Sequence, residues 1–166
     1  MQSRIVFVVW MALGALAMRS AYGQQADALK KAQTAFDLAQ RQFLDGKYDD
    51  AARSFQDAYD ARPFPQFLYN VAATLHTKGK KESDPAAYQK AIDTYKRLYD
   101  SGGYSKAAVA YELASVYEAN KQPDQAKDFY QKVVSEFPDS PFRTNADEAL
   151  KRLGVTTPPP VVQKPS

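Results

Sequence analysis

Residues Ala35–Pro63 read AFDLAQRQFLDGKYDDAARSFQDAYDARP, and residues Ala110–Pro138 read AYELASVYEANKQPDQAKDFYQKVVSEFP. The first places Ala35, Leu38, Ala39, Gly46, Tyr48, Ala51, Phe55, Ala58 and Pro63 in a register that the second fills with Ala110, Leu113, Ala114, Lys121, Pro123, Ala126, Tyr130, Val133 and Pro138. A looser copy between them runs through Tyr69, Ala72, Ala73, Tyr88, Ala91, Tyr95 and Leu98, and Ala39 and Ala73 are 34 residues apart. A period of this length marks a helical pair that cannot bury its apolar face alone and so stacks on its neighbours. The expected fold is all-α: a right-handed helical-repeat solenoid of three helix–turn–helix repeats plus a C-terminal capping helix.

Breakers and caps divide the repeats into helices. The first is expected over Ala26 to Asp45, closed by Gly46, and its partner over Tyr48 to Ala61. Arg62-Pro63-Phe64-Pro65 then stops the chain, because proline cannot continue a helix. Gln66 to Lys78 follows, with Gly79 as its end; Asp84-Pro85 starts the next helix as an aspartate cap followed by proline. That helix reaches Asp100 before the Ser101-Gly102-Gly103 turn. Ser105 to Asn120 and Pro123 to Glu136 form the third pair. Ser140-Pro141 repeats the cap-plus-proline start for a last helix, Pro141 to Leu153, closed by Gly154. The repeats span 32–65, 66–106 and 107–140, the capping helix 141–153, and the whole repeat domain 24–154. Residues 155–166, VTTPPPVVQKPS, carry four prolines and no apolar period, and read as an extended, disordered tail.

Ala73 and Ala114 are 41 residues apart, so repeat 2 carries seven extra residues. The spacing of Ala73 and Ala91 places six of them in the turn around Lys78–Asp84 and the seventh in the Ser101–Gly103 turn, where insertions cost little. Ala39, Ala51, Ala58, Ala73, Ala91, Ala114 and Ala126 supply the small side chains that close helix packing needs, and Phe55, Tyr95 and Tyr130 fill one shared repeat position.

Composition narrows the function. The 166 residues are 45% hydrophobic and 25% charged, which suits one globular domain. Met1 to Gly23 reads as a cleaved secretory signal: Arg4 precedes the apolar run Ile5–Ala17, and Ala21-Tyr22-Gly23 offers small residues for cleavage before Gln24. The run is shorter than the roughly 20 residues of a spanning helix, so no stable membrane insertion is expected after cleavage. Export to the periplasm or outside the cell is the expectation for a bacterial source. The formal charge of +3 becomes +1 once Arg4 and Arg19 are lost, leaving 20 Lys+Arg against 19 Asp+Glu. No basic stripe argues for nucleic acid. With no cysteine and a single histidine, His76, there is no disulfide, no thiolate site and no metal-ligand spacing. His76 reads as a packing residue. Asp49, Asp50, Asp57 and Asp60 read as a solvated helix face. The lysines of Lys78–Lys81, followed by Glu82 and Asp84, read as a charged loop. No nucleophile–base pair, no phosphate loop and no cofactor motif are present, and an enzyme is not expected.

These residues resemble the tetratricopeptide repeat, over 32–153. The resemblance is strong in repeats 1 and 3. Repeat 2 departs through its insertion and through Gly103 where the others have Pro63 and Pro138; repeat 3 departs where Lys121 and Pro123 replace Gly46 and Tyr48. The Phe137–Phe142 segment is similar to repeat ends in bacterial envelope members of this superfamily. Those include the cell-division coordinator of the Tol–Pal system and outer-membrane assembly lipoproteins. The resemblance implies a concave groove lined by the first helix of each pair: Phe36, Gln40 and Phe43, then Phe67, Asn70 and Thr74, then Tyr111, Ser115 and Glu118. Aromatic rings beside amides and hydroxyls suit an extended peptide or a partner helix. The alternative for Phe36, Phe43 and Phe67 is packing between repeats. The groove does not match the family's carboxylate-binding clamp, which wants lysine, arginine and asparagine on these faces; Phe36, Gln40 and Tyr111 are wrong for it, which argues against a chaperone's C-terminal tail as ligand. Two functions follow as expectations: an exported, non-catalytic scaffold holding a protein or peptide in the groove, or a structural envelope component associating through its ends or its convex face, where Tyr59, Tyr88 and Tyr99 would lie exposed.

Overall fold

The computed structural model describes residues 3–155, with side chains from Gly23 onward. The side chains of the expected signal segment and all but the first residue of the proline-rich tail lie outside the described residues. The chain forms α1 (Ser3–Leu44), α2 (Tyr48–Ala61), α3 (Pro65–Glu82), α4 (Pro85–Ser101), α5 (Lys106–Ala119), α6 (Pro123–Glu136) and α7 (Arg143–Arg152), and no strand among the described residues. Successive helices pack as antiparallel pairs, α1 with α2, α3 with α4 and α5 with α6. Each pair docks its first helix on the second helix of the pair before, and α7 closes the array against α6.

The repeat's punctuation acts as its chemistry requires. Gly46 takes a left-handed conformation (φ 75°) after α1, and Gly102 (φ 66°) does so after α4. Asp84 caps α4, accepting from the amides of Ala86 at 2.9 Å and Ala87 at 3.2 Å. In repeat 3 Lys121 holds the place of Gly46 and carries the same left-handed turn at φ 58°.

Three boundaries differ from the sequence reading. The helix α1 begins at Ser3 rather than Ala26, since no proline separates Arg19 from Ala26 and a lone Gly23 costs a helix only about 1 kcal/mol. The helix α3 does not stop at Gly79. It continues to Glu82 and ends at Ser83, which takes the left-handed cap at φ 53°. The added turn places Lys80 and Lys81 near the negative end of the helix dipole. Repeat 2's extra residues are therefore helical and do not form a turn: α3 has 18 residues and α4 has 17, against 14 in each of α5 and α6. Finally, α7 starts at Arg143. Ser140-Pro141 makes a turn ahead of it, closed by the Arg143 amide on the Ser140 carbonyl at 3.1 Å.

The core follows the repeat. Ala39, Ala51, Ala58, Ala91, Ala114 and Ala126 are fully buried where backbones approach, and Tyr95, Tyr130 and Phe55 fill the space beside them. Ala73 departs from this: it is half-buried, and Ala72 takes the sealed position. Leu38 is also exposed: among the described residues, no helix covers the face of α1 that corresponds to the one α2 covers on α3 and α4 covers on α5. Tyr59, Tyr88 and Tyr99 are half-buried against the core and are not free surface rings.

Candidate functional site

A cavity of about 430 Å³ opens between the C-terminal end of α1 and the middle of α3. Phe36, Gln40, Phe43 and Leu44 line it from α1, Asn70, Ala73, Thr74 and Thr77 from α3, and Phe55 from α2 forms its floor. Residues three and four apart on a helix share a face, which is why the α1 set recurs at that spacing. Five of the nine expected groove residues meet here: Phe36, Gln40, Phe43, Asn70 and Thr74.

The aromatic residues serve packing and lining together. Phe36 lies 5.5 Å from Phe55, edge to face, and 5.5 Å from Phe67, so its ring joins repeats 1 and 2 while one side borders the cavity. Phe67 stays outside the cavity, held between Phe36 and Phe64, and Phe43 meets Tyr48 at 5.5 Å. Thr74 is almost wholly buried, whereas Gln40 is exposed and Asn70 half-exposed. Leu44 is 83% exposed at the mouth, an apolar side chain that water does not favour. No lining side chain carries a charge.

The repeat 3 residues lie elsewhere. Tyr111 stacks on Phe142 at 5.4 Å and packs on Tyr130. Glu118 accepts from the Tyr130 hydroxyl at 3.0 Å and from the Arg152 guanidinium at 2.9 Å, which fastens α7 to α5. Ser115 is half-buried on the same helix. Tyr111 and Glu118 are thus engaged by the closing helix. Sequence reasoning missed Leu44, Phe55, Ala73 and Thr77. The signal for Thr77 was available, since it holds the repeat position of Phe43 and Glu118.

Two polar clusters flank the groove. Lys78 sits at one end, its ammonium 2.7 Å from Asp49 on α2, 3.8 Å from Glu82 on α3 and 3.4 Å from the cap Asp84. The bond to Asp49 raises the Lys78 pKa, and the Ala87 and Ala86 amides hold the Asp84 carboxyl below its usual range. The expected charged loop is thus an ion-paired clasp between repeats 1 and 2. On the opposite side of α3, Tyr69 reaches Glu112 of α5 at 3.4 Å, and burial followed by that carboxylate pushes the phenol up to about 12. His76 Nδ1 lies 3.9 Å from Glu112, too long for a hydrogen bond, and its Nε2 is buried without a partner among the described residues. Burial, and after it the nearby Lys80 ammonium, lowers the His76 pKa to about 4, so the ring is neutral at pH 7. Burial also raises the Glu112 pKa. No grouping of three or more histidine, cysteine, aspartate or glutamate residues among the described residues suits a metal ion.

The fold and the groove define a helical-repeat protein with an uncharged cavity between its first two repeats. Two tetratricopeptide-repeat family models match the chain, over residues 36–95 and 108–140, together more than half its length. The chain belongs to the tetratricopeptide-repeat family. Among solved structures, the Yersinia enterocolitica type III secretion translocator chaperone SycD aligns with a TM-score of 0.57 at 18% identity, over 75% of this chain and 92% of that one. The first such domain of Spaghetti (RPAP3), bound to the HSP90 peptide SRMEEVD, aligns with a TM-score of 0.53 at 20% identity, over 76% of this chain and 95% of that one. At these identities the likeness speaks to the fold. No curated protein matches the chain significantly.

Proposed function

We propose that the chain is an exported, non-catalytic scaffold that holds an uncharged, partly apolar protein segment in the groove between α1 and α3. The observation that carries this reading is the lining itself. Rings from Phe36, Phe43 and Phe55 line the groove with apolar surface, and the Gln40 and Asn70 amides join them with no charged side chain in the lining. Such a site rewards burial of apolar side chains and leaves amides to pair with a backbone. It offers nothing to a carboxylate, which separates it from a site for an acidic tail. Export rests on the Arg4-led apolar run and the small residues before Gln24. Among the described residues no helix is long and apolar enough to cross a membrane.

A peptide array tests the groove. Peptides bound by the protein should lose at least about tenfold in affinity, or ~1.4 kcal/mol, when Gln40→Lys and Thr77→Lys place ammonium groups in the cavity. Unchanged affinity for the same peptides, with helical content intact, would sink the groove assignment. Cell fractionation with N-terminal sequencing tests export: a chain starting at Gln24 outside the cytoplasm is expected, and one retaining Met1 in the cytoplasm overturns it.

A further inference from the structure

The two carboxylates of α5 are equally sheltered and differently served. Glu118, 28% exposed, holds the Arg152 guanidinium at 2.9 Å and accepts from the Tyr130 hydroxyl. Glu112, 25% exposed, has no lysine or arginine within ion-pair distance among the described residues. Its neighbours are the Tyr69 hydroxyl at 3.4 Å and Nδ1 of His76 at 3.9 Å, in a ring that is neutral at pH 7. Lys80 is exposed and acts on Glu112 only through its field. A carboxylate this far from water is costly unless a cation or several donors serve it, and one long hydrogen bond serves it poorly.

Aromatic rings stand beside this carboxylate. Tyr69 stacks on Tyr104 at 4.9 Å and meets Tyr95 edge to face at 5.7 Å. Tyr95 is fully buried, whereas Tyr69 and Tyr104 are only half-buried. The faces of such rings attract cations, and the stem of a long basic side chain packs on them. A lysine or arginine could therefore pair with Glu112 while its stem rests on tyrosine.

The cluster adjoins the groove. Tyr69, Ala73, His76 and Lys80 recur at three- and four-residue spacing and form one stripe along α3, and Ala73 of that stripe also lines the cavity. The cavity lies on the α1 side of α3 and Glu112 on the α5 side. One helix spacing, about 8–10 Å, separates them, which an extended chain crosses in about three residues at ~3.3 Å each.

We propose that the α3–α5 junction at Glu112 binds a basic side chain of the partner segment, about three residues from the apolar side chains that enter the α1–α3 groove. This rests on the groove reading and sharpens it. The partner then carries an uncharged apolar stretch with a lysine or arginine beside it, the reverse of an acidic tail.

Two probes test the site separately from the groove. The first is Nα-acetyl-lysine methylamide, titrated into the isotope-labelled full chain and followed by NMR, with the norleucine analogue as control. The lysine probe at millimolar concentration should shift the amide signals of Tyr69, Tyr104 and Glu112, and the norleucine analogue should not. Glu112→Gln keeps the shape of the side chain and should weaken the lysine probe at least about tenfold. Lys80→Gln, at an exposed position, removes a competing charge and should strengthen it several-fold. The second probe is a fixed array of uncharged hexapeptides, each with one lysine, glutamate or glutamine placed at every position in turn. Peptides with lysine about three residues from an apolar pair should bind about tenfold more tightly than their glutamine counterparts. That preference should vanish in the Glu112→Gln chain with its helical content intact. No shift with the lysine probe, or a lysine preference that survives Glu112→Gln, overturns the proposal. Uncharged peptides that bind as tightly as their lysine counterparts sink this inference alone. A lysine probe bound at Glu112 with no peptide held on the array sinks the groove reading and leaves this site standing.

Discussion

Replacing Gly79 by alanine sets two effects of opposite sign against each other. Gly79 lies inside α3, where alanine is favoured by about 1 kcal/mol because it restricts the unfolded chain. A Cβ there would also stand 2.6 Å from Cδ1 and Cε1 of Tyr88 and 2.8 Å from its Cγ. Carbon pairs prefer about 3.5–4.0 Å, so the ring must move. It cannot simply swing its tip away. Cγ joins the stem of the side chain, and the ring packs on His76 at 6.1 Å. Overpacking of this kind costs about 1–3 kcal/mol. The overlap should win by about 1 kcal/mol, lowering the thermal midpoint by about 2–4 °C. With Tyr88→Ala the obstacle is gone, and the same Gly79→Ala change should stabilise by about 1 kcal/mol. Urea unfolding of the four proteins, followed by circular dichroism, gives the coupling directly, expected near 2 kcal/mol. A Gly79→Ala chain more stable than the parent with Tyr88 in place would refute the reasoning, and with it the close crossing of α3 and α4.

Three further outcomes are expected. His76 is held neutral in the fold, with a pKa of about 4 against 6.5 when free, so its contribution is fully present above pH 6.5 and is lost as pH falls towards 4. The loss approaches about 3 kcal/mol, and the difference between parent and His76→Phe urea curves across that window isolates it from the opposite trend of Glu112. Glu118→Ala strands the buried Tyr130 hydroxyl and frees Arg152; a loss of about 1–2 kcal/mol, with faster hydrogen exchange in α7, is expected, and unchanged exchange there would count against the α5–α7 tie. Lys121→Gly relieves a left-handed turn at φ 58° and should stabilise by roughly 0.5–1 kcal/mol in thermal melts.

The helical pairing was legible because the alanines recur at positions where only a small side chain fits, and because Gly46, Pro63 and Asp84-Pro85 punctuate in ways few other residues can. Gly79 misled for a physical reason. Glycine closes a helix when the backbone must turn left-handed, but it also permits a close neighbour inside one. The ring that decides between these uses, Tyr88, comes from the next helix and is invisible to local reading. The groove was legible in repeats 1 and 2, where side chains on α1 and α3 face each other. In repeat 3 the same positions, Tyr111 and Glu118, are taken by Phe142, just ahead of α7, and by Arg152 from α7. A periodic pattern gives each repeat the same face and does not say which neighbour will occupy it.

The lengthened second pair shows how such an array accommodates change. Because each pair touches only the next, seven added residues alter two helices and one crossing and leave the register of repeat 3 as it was. In mechanical terms the alteration is local: the longer helix meets its neighbour at the one residue, Gly79, whose missing side chain lets the Tyr88 ring pass. The middle pair can therefore be lengthened or shortened by design without disturbing repeat 3, provided that the residue at the crossing and the bulk opposite it change together.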